Sequence, residues 1–225
     1  MLLVKPSFRI LTPLGDDRIK EILQYLEFHA RNCYQSQDKI YWNSYTDNSC
    51  IPLLNKIIKN KHFSILEHAL LSVQFIADRR FLAEITRQRL CSFAVESSRF
   101  CRYDSNVTFI IPTNLPNIPE GVYHAGHYDK SQYTNEEIDF IEDMIYFENA
   151  YIKRLNLGWT PQLASVVLPG GLKTTINMTA NLRQMRYILQ LRTTNKCHPS
   201  MLELTIPLLN DLKEKIPVIF KDITY

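Results

Sequence analysis

Apolar residues along this chain recur at two spacings, and each spacing predicts a different element. Ile19, Ile22, Leu23, Leu26 and Ala30 fall three or four apart over residues 17–31, the face of an amphipathic helix. Leu53, Leu54, Ile57 and Ile58 repeat that pattern behind Pro52, which suits the first turn of a helix. Residues 69–77 are instead dense in Leu, Val, Phe and Ile and predict a strand. Residues 1–6 and 107–111 predict two more. Asp78 is placed to cap a helix that carries Phe81, Leu82 and Ile85 and delivers Arg87 at its C-terminal end. Thr134 and Glu137 form a capping box ahead of a long amphipathic helix that Gly158 ends. Thr160-Pro161 opens a short helix, and Leu182, Met185, Ile188 and Leu189 give a helical face over 181–192. Pro199 opens the last long helix, which Pro207 is expected to kink. Residues 112–133, with their prolines at 112, 116 and 119, read as a long loop. The sum is an α+β chain, a helix-rich single domain over 1–225 with a modest antiparallel sheet.

Composition narrows the partners. A chain of 225 residues that is 45% hydrophobic and 22% charged is ordinary for a globular domain. No apolar run reaches the ~18 residues of a membrane helix. The first residues lack a charged leader before an apolar core, so a cytoplasmic protein without a signal peptide is expected. The net charge of +3 is too small, and its basic residues too scattered, to argue for nucleic acid. The 5 cysteines include no Cys-x-x-Cys pair, which favours reduced thiols over zinc or disulfides. His124 and His127 have no third ligand at a suitable spacing, so no metal is expected. Trp42 and Trp159 carry no pattern and are expected to pack.

One stretch stands apart from this background. Residues 87–99 read Arg87-Gln88-Arg89-Leu90-Cys91-Ser92-Phe93-Ala94-Val95-Glu96-Ser97-Ser98-Arg99. Arginine presents a rigid fork of donors that matches phosphate, and serine hydroxyls add neutral donors to the same oxygens. Glu84 lies one helical turn before Arg87 on the same face. The cluster suits a phosphorylated ligand beside an apolar surface. Cys91 lies inside it, and a small packing residue is the favoured reading over a nucleophile.

The Arg-x-Arg and Ser-x-Arg spacing resembles the defining motif of the flavin-dependent thymidylate synthases, where the stretch is a helix end and loop. Upstream, His62-Phe63-Ser64-Ile65-Leu66-Glu67-His68 resembles the family's His-x-Ser/Thr-x-x-Glu-His segment, and Ala30-Arg31-Asn32-Cys33-Tyr34 its N-terminal segment. Downstream, Val167-Leu168-Pro169, Lys173-Thr174, Thr179-Ala180-Asn181-Leu182-Arg183 and Leu191-Arg192 follow in the family's order. The resemblance spans about Leu3 to Ile223. It implies reductive methylation of deoxyuridylate (dUMP) to thymidylate, with FAD as hydride carrier, methylenetetrahydrofolate as one-carbon donor and NADPH as reductant. It also implies a homotetramer with sites at subunit interfaces.

The resemblance further implies residue roles. Glu84, Arg87, Ser97, Ser98 and Arg99 match positions that hold the nucleotide. Arg192 matches the arginine beside the pyrimidine, where a cation stabilises the charge developing at N3 and O2. His62, Ser64, Arg87, Gln88, Arg89, Asn181 and Arg183 match positions at the flavin. Asn181 could equally be a helix cap and Ser64 a turn residue. The chain departs from the family at four places. Gln88 replaces the histidine of Arg-His-Arg, which leaves a flavin or folate contact possible but excludes an imidazolium. Val95 replaces a glutamate, although Glu96 follows. Ser165 stands where a nucleotide-binding arginine is common, a loss that Arg186 could offset. Leu202 stands where a basic residue is common. These departures keep open action on another pyrimidine nucleotide or a hydroxymethyl product; apart from them, the other alternative is a flavin- or nucleotide-binding protein without catalysis.

Overall fold

Strict period-two burial builds the central strands of this protein. In the computed structural model, which describes residues 1–39, 49–104 and 106–225, Leu71, Val73, Phe75 and Ala77 are buried along one strand. Thr174, Ile176, Met178 and Ala180 are buried along another, while the residues between them are half-buried. Trp42 lies outside the described residues. In chain order the elements are β1 (Leu2–Val4), β2 (Ser7–Ile10), α1 (Asp16–Cys33), α2 (Cys50–Lys59), β3 (Leu70–Asp78), α3 (Arg79–Ile85), β4 (Cys91–Val95), β5 (Thr108–Ile110), β6 (Gly121–Val122), α4 (Asn135–Asn156), α5 (Pro161–Ala164), β7 (Lys173–Asn181), α6 (Leu182–Arg192), α7 (Pro199–Lys215) and α8 (Pro217–Phe220). A 3₁₀ segment of two turns over Phe63–His68 precedes β3. One sheet has the order β5-β1-β6 and the other β2-β3-β7-β4.

The chain's contacts group into two compact units. The first comprises Met1–Ser7, Phe75–Arg87 and Ala94–Asn177. Its core joins Leu3, Val107, Phe109 and Ile118 to Ile141, Met144 and Tyr151 of α4. β1 pairs antiparallel with β6 but parallel with β5. The capping box forms as expected: Thr134 N–H donates to Glu137 Oε2 at 2.9 Å, and Glu137 N–H to Thr134 Oγ1 at 3.3 Å. Gly158, at φ +85, follows α4 in the left-handed region that glycine adopts freely. The expected loop 112–133 is pinned by β6 and by a cluster of Tyr123, Tyr128 and Tyr133. A two-residue strand is too short to announce itself by alternation. Asp78 caps α3 through Phe81 N–H at 2.7 Å. The helix stops at Ile85, where Thr86 Oγ1 bonds back to Leu82 O at 2.7 Å, so Arg87 lies beyond it and not at its end.

The second unit comprises Phe8–Gln74, Gln88–Phe93 and Met178–Tyr225. Leu26 and Ala30 of α1, Leu54 and Ile57 of α2, Met185 and Leu189 of α6, and Leu208 and Leu212 of α7 are buried within it. The helix α7 continues through Pro207 to Lys215. Residues 87–99 are not solely the helix end and loop that the family motif implies. The strand β4 occupies their middle, because Cys91, Phe93 and Val95 alternate with Ser92 and Ala94 toward the more covered side.

Candidate functional site

The motif residues fall into one group in each unit. In the second unit, Asn181 ends β7 and caps α6, its Oδ1 accepting from Gln184 N–H at 2.8 Å. The capping role and a place at a site coexist here. Asn181 lines an open cleft of ≈ 520 Å³ together with Arg183, Phe63, Glu67, Leu90 and Tyr187. Arg183 pairs with Glu67 at 2.6 Å, joining two of the matched segments. His62 and Ser64 are exposed on the 3₁₀ segment and its entrance. His62 Nδ1 shares a hydrogen bond of 3.1 Å with Tyr34 Oη, which ties the N-terminal segment to the same surface. Tyr187 and Leu90 remain 54% and 81% exposed at the cleft, although both are large and apolar. Both line the cleft and offer apolar surface to a planar ligand.

Arg192 is the last residue of α6, and Gln88 is its partner. With its carboxamide oxygen turned to the guanidinium, Gln88 accepts from Arg192 Nη2 at 2.7 Å and Nε at 2.9 Å. Gln88 is buried, whereas Arg89 beside it is exposed. Leu90, in the turn between α3 and β4, takes φ +60, a left-handed value that is strained for leucine.

In the first unit, Arg87 is exposed and pairs with Glu84 at 3.4 Å. Beyond β4, Ser97 Oγ accepts from Arg99 N–H at 3.3 Å, and Ser97 O accepts from both Phe100 and Cys101 N–H groups. Ser98 is half-buried in the same turn. The Arg99 guanidinium lies 5.7 Å from the Phe100 ring centre, and Phe100 is 82% exposed.

Two expectations need adjustment. Arg186 cannot stand in for a lost phosphate arginine. It is buried, bonded to Ile219 O and to both oxygens of Asp222 at 2.7 Å, and stacked 5.1 Å from the Phe63 ring centre. Glu96 does not replace the carboxylate absent at Val95. It is committed to Lys173 at 2.6 Å, Tyr103 at 2.9 Å and Thr175 at 3.1 Å. Burial raises the Glu96 carboxyl, but these bonds and the Lys173 charge outweigh it and hold the group below its ordinary range. Ser165 Oγ is turned to Gln162 O at 2.9 Å.

Cys91 donates to Arg89 O at 3.5 Å, and burial pushes its thiol up against the opposing bond from Gln184. A raised thiol is a poor nucleophile at neutral pH. We expect Cys91→Ala to keep turnover within about threefold of the parent, since free cysteine packs as a small hydrophobe. A steady-state assay with dUMP checks this, and loss of activity in a folded, flavin-loaded variant would restore the nucleophile.

Two features escaped the sequence. The strand β7 is not among the predicted elements, since its two ends, Lys173-Thr174 and Thr179-Ala180-Asn181, stand out as motif matches and not as a strand. His29 was also missed: its ring stacks on His68 of the matched segment at 3.7 Å and 9°. Burial and the His68 charge push the His29 imidazole down. Nothing short of the fold brings residues 29 and 68 together.

A helix-rich α+β chain that arranges arginine, carboxamide and exposed aromatic groups about a cleft is shaped for an anionic ligand with a planar body. The family model described as thymidylate synthase complementing protein matches residues 17–218. The probable flavin-dependent thymidylate synthase of Mycobacterium phage D29 is 28% identical over 225 residues, covering 99% of this chain and 92% of that protein. The flavin-dependent thymidylate synthase of Mycolicibacterium vanbaalenii is 30% identical, covering 88% and 78%. Among solved structures, the UMP/dUMP methylase PolB from Streptomyces cacaoi bound with 5-Br dUMP superposes with a TM-score of 0.75 at 17% identity, covering 98% and 96%. Thymidylate synthase X from Helicobacter pylori with FAD and dUMP gives 0.68 at 20% identity, covering 97% and 98%. This chain belongs to the flavin-dependent thymidylate synthase family.

Proposed function

We propose that this protein is a flavin-dependent thymidylate synthase that converts dUMP to thymidylate with methylenetetrahydrofolate, using FAD reduced by NADPH. The observation that carries this reading is the retention of both ligand sets along the chain: Arg87, Ser97, Ser98 and Arg99 in the first unit, Asn181, Arg183 and Arg192 in the second. A protein that only bound one ligand would need only one set. The cleft beside Asn181 and Arg183 fits a flavin cofactor, since it pairs cationic and amide donors with the exposed Tyr187 and Leu90. His62, Ser64, Arg87, Arg89, Asn181 and Arg183 are the residues proposed to hold it. When bound, the flavin supplies the hydride that completes the new methyl group. Arg87 and Arg99, with Ser97 and Ser98, hold the nucleotide's phosphate and Glu84 steadies Arg87. Arg192 faces the pyrimidine and stabilises negative charge at N3 and O2, which raises electron density at C5 where the carbon unit adds. The assembly we propose is a homotetramer with sites at subunit interfaces, in the cytoplasm; among the described residues no helix is long and apolar enough to cross a membrane.

A second reading rests on Gln88 and Ser165 standing where the family has histidine and arginine. It keeps the scaffold but changes the pyrimidine nucleotide, or leaves a hydroxymethyl product. One experiment separates the two. Pure protein is reduced with NADPH, then given dUMP or UMP with methylenetetrahydrofolate, and the nucleotide is analysed by mass. Flavin reoxidation with thymidylate supports the first reading. Methylated or hydroxymethylated products from another nucleotide support the second, and protein that binds nucleotide without flavin chemistry refutes both.

A further inference from the structure

We infer that Gln88 is the residue that sets the orientation of Arg192 for the pyrimidine, acting as a positioning residue and not as a flavin contact. The inference rests on the proposed role of Arg192. The geometry is specific. One carboxamide oxygen accepts from both Nη2 and Nε, at 2.7 and 2.9 Å, along one edge of the guanidinium fork. Two bonds to one edge fix the plane of the group as well as its position. Gln88 is itself buried, with 7% of its surface exposed, so the acceptor has little freedom and a low-dielectric surrounding. It is held at the turn where Leu90 takes φ +60, while its neighbours Arg87 and Arg89 face solvent. The alternation of the turn therefore sends 87 and 89 outward and 88 inward, onto α6.

The chemistry of the acceptor matters as much as its place. A carboxylate in this position would hold the same fork but cancel much of its charge, weakening the stabilisation that an anionic pyrimidine needs. A histidine could accept one bond when neutral and none when protonated. Glutamine is neutral at every working pH, so it orients Arg192 and leaves its full charge for the ligand. The departure from the family's Arg-His-Arg is on this account a substitution that frees the arginine's orientation from proton binding.

The test uses the FAD-loaded protein and measures the dUMP dissociation constant from pH 5 to 8.5 for the parent, Gln88→His, Gln88→Leu and Arg192→Lys. Affinity is expressed as the ratio of variant to parent at each pH, so titration of the nucleotide's own phosphate cancels. The charged groups around position 88 are Arg192, which faces it, and Arg87 and Arg89, which flank it, with Glu84 paired to Arg87. The arginines stay cationic throughout and press a histidine at 88 below its ordinary ~6.5. Gln88→His is therefore expected near parent affinity at pH 8, falling by about tenfold toward pH 5 as the acceptor is lost. Gln88→Leu is expected to lose about tenfold at every pH, for the same missing acceptor. Flavin content and melting temperature confirm that each variant is folded. A flat ratio for Gln88→His overturns the inference, and so does unchanged affinity in Gln88→Leu. If Arg192→Lys leaves both dUMP affinity and the single-turnover rate intact, the pyrimidine role of Arg192 fails and the inference falls with it. If Arg192→Lys weakens dUMP while Gln88→His stays flat, the inference alone fails.

Discussion

Arg192→Ala is expected to lower turnover of dUMP by ~10²–10³-fold, the range for removing one preorganised charged donor from a developing anion. Three features set the size of this effect. The guanidinium is a cation at any working pH, so its full charge is present when the pyrimidine becomes anionic. Its location at the last residue of α6 places it where a helix favours a cation, which lowers the cost of holding the charge there. Its edge is fixed by Gln88, so little reorganisation is needed during the reaction. Arg192→Lys keeps the charge but loses the fork, and we expect it to recover part of the lost rate. Single-turnover flavin reoxidation, followed with thymidylate analysis, measures the chemical step apart from binding. Arg192→Ala also leaves Gln88 buried without this partner, at about 1–3 kcal/mol, so flavin content and a melting curve must accompany the rates. A folded Arg192→Ala protein with parental turnover would remove Arg192 from the reaction.

Much of this architecture was legible in local chemistry. The capping box at Thr134 and Glu137, the Asp78 cap and the apolar faces of α1, α2 and α6 each follow from contacts within a few residues. Such contacts are written directly in the sequence. β7 was also legible in principle, since Ile176, Met178 and Ala180 alternate with Thr175, Asn177 and Thr179. Its polar residues have the composition of a loop, and it forms because it lies between β3 and β4 in the sheet. The motif residues were found by their order along the chain, but not their partners. Gln88 meets Arg192, Arg183 meets Glu67 and Glu96 meets Lys173 across long stretches of sequence. No spacing rule anticipates those pairs. Arg186 shows the cost of that blindness. On the sequence it is one more arginine near the motif, and only the fold reveals that Asp222 and Ile219 already occupy it.

That pair carries the second large effect: Asp222→Ala is expected to destabilise the fold by ~3–5 kcal/mol, the cost of stranding one member of a buried ion pair. The asymmetry of exposure decides which partner matters more. The Arg186 side chain is 3% exposed and the Asp222 side chain 48%. Without Asp222, a guanidinium remains in the interior against the Ile219 carbonyl and the face of Phe63. Without Arg186, the carboxylate simply meets water, so Arg186→Met is expected to cost less, ~1.5–3 kcal/mol for the charged bond to the backbone. The pH dependence follows from the carboxyl. Hydrogen bonds from Arg186 hold it below its ordinary range, against the opposing effect of burial. A carboxyl depressed in the folded state contributes stability above its unfolded value of ~3.9 and loses it as pH falls through the folded value. The gap between parent and Asp222→Ala is thus full at neutral pH and narrows in acid, as the share carried by the ionised carboxylate is lost, which urea unfolding at pH 7 and below pH 4 would measure. A gap under ~1 kcal/mol at pH 7 would mean that other groups hold Arg186, since the range for a stranded buried charge begins well above that. The expected result bears on the site as well, because α6 carries Arg183 and Arg192 and begins at Asn181. An α6 released from Asp222 loses the cleft before it loses the helix, so flavin content should fall at lower urea than helical signal does.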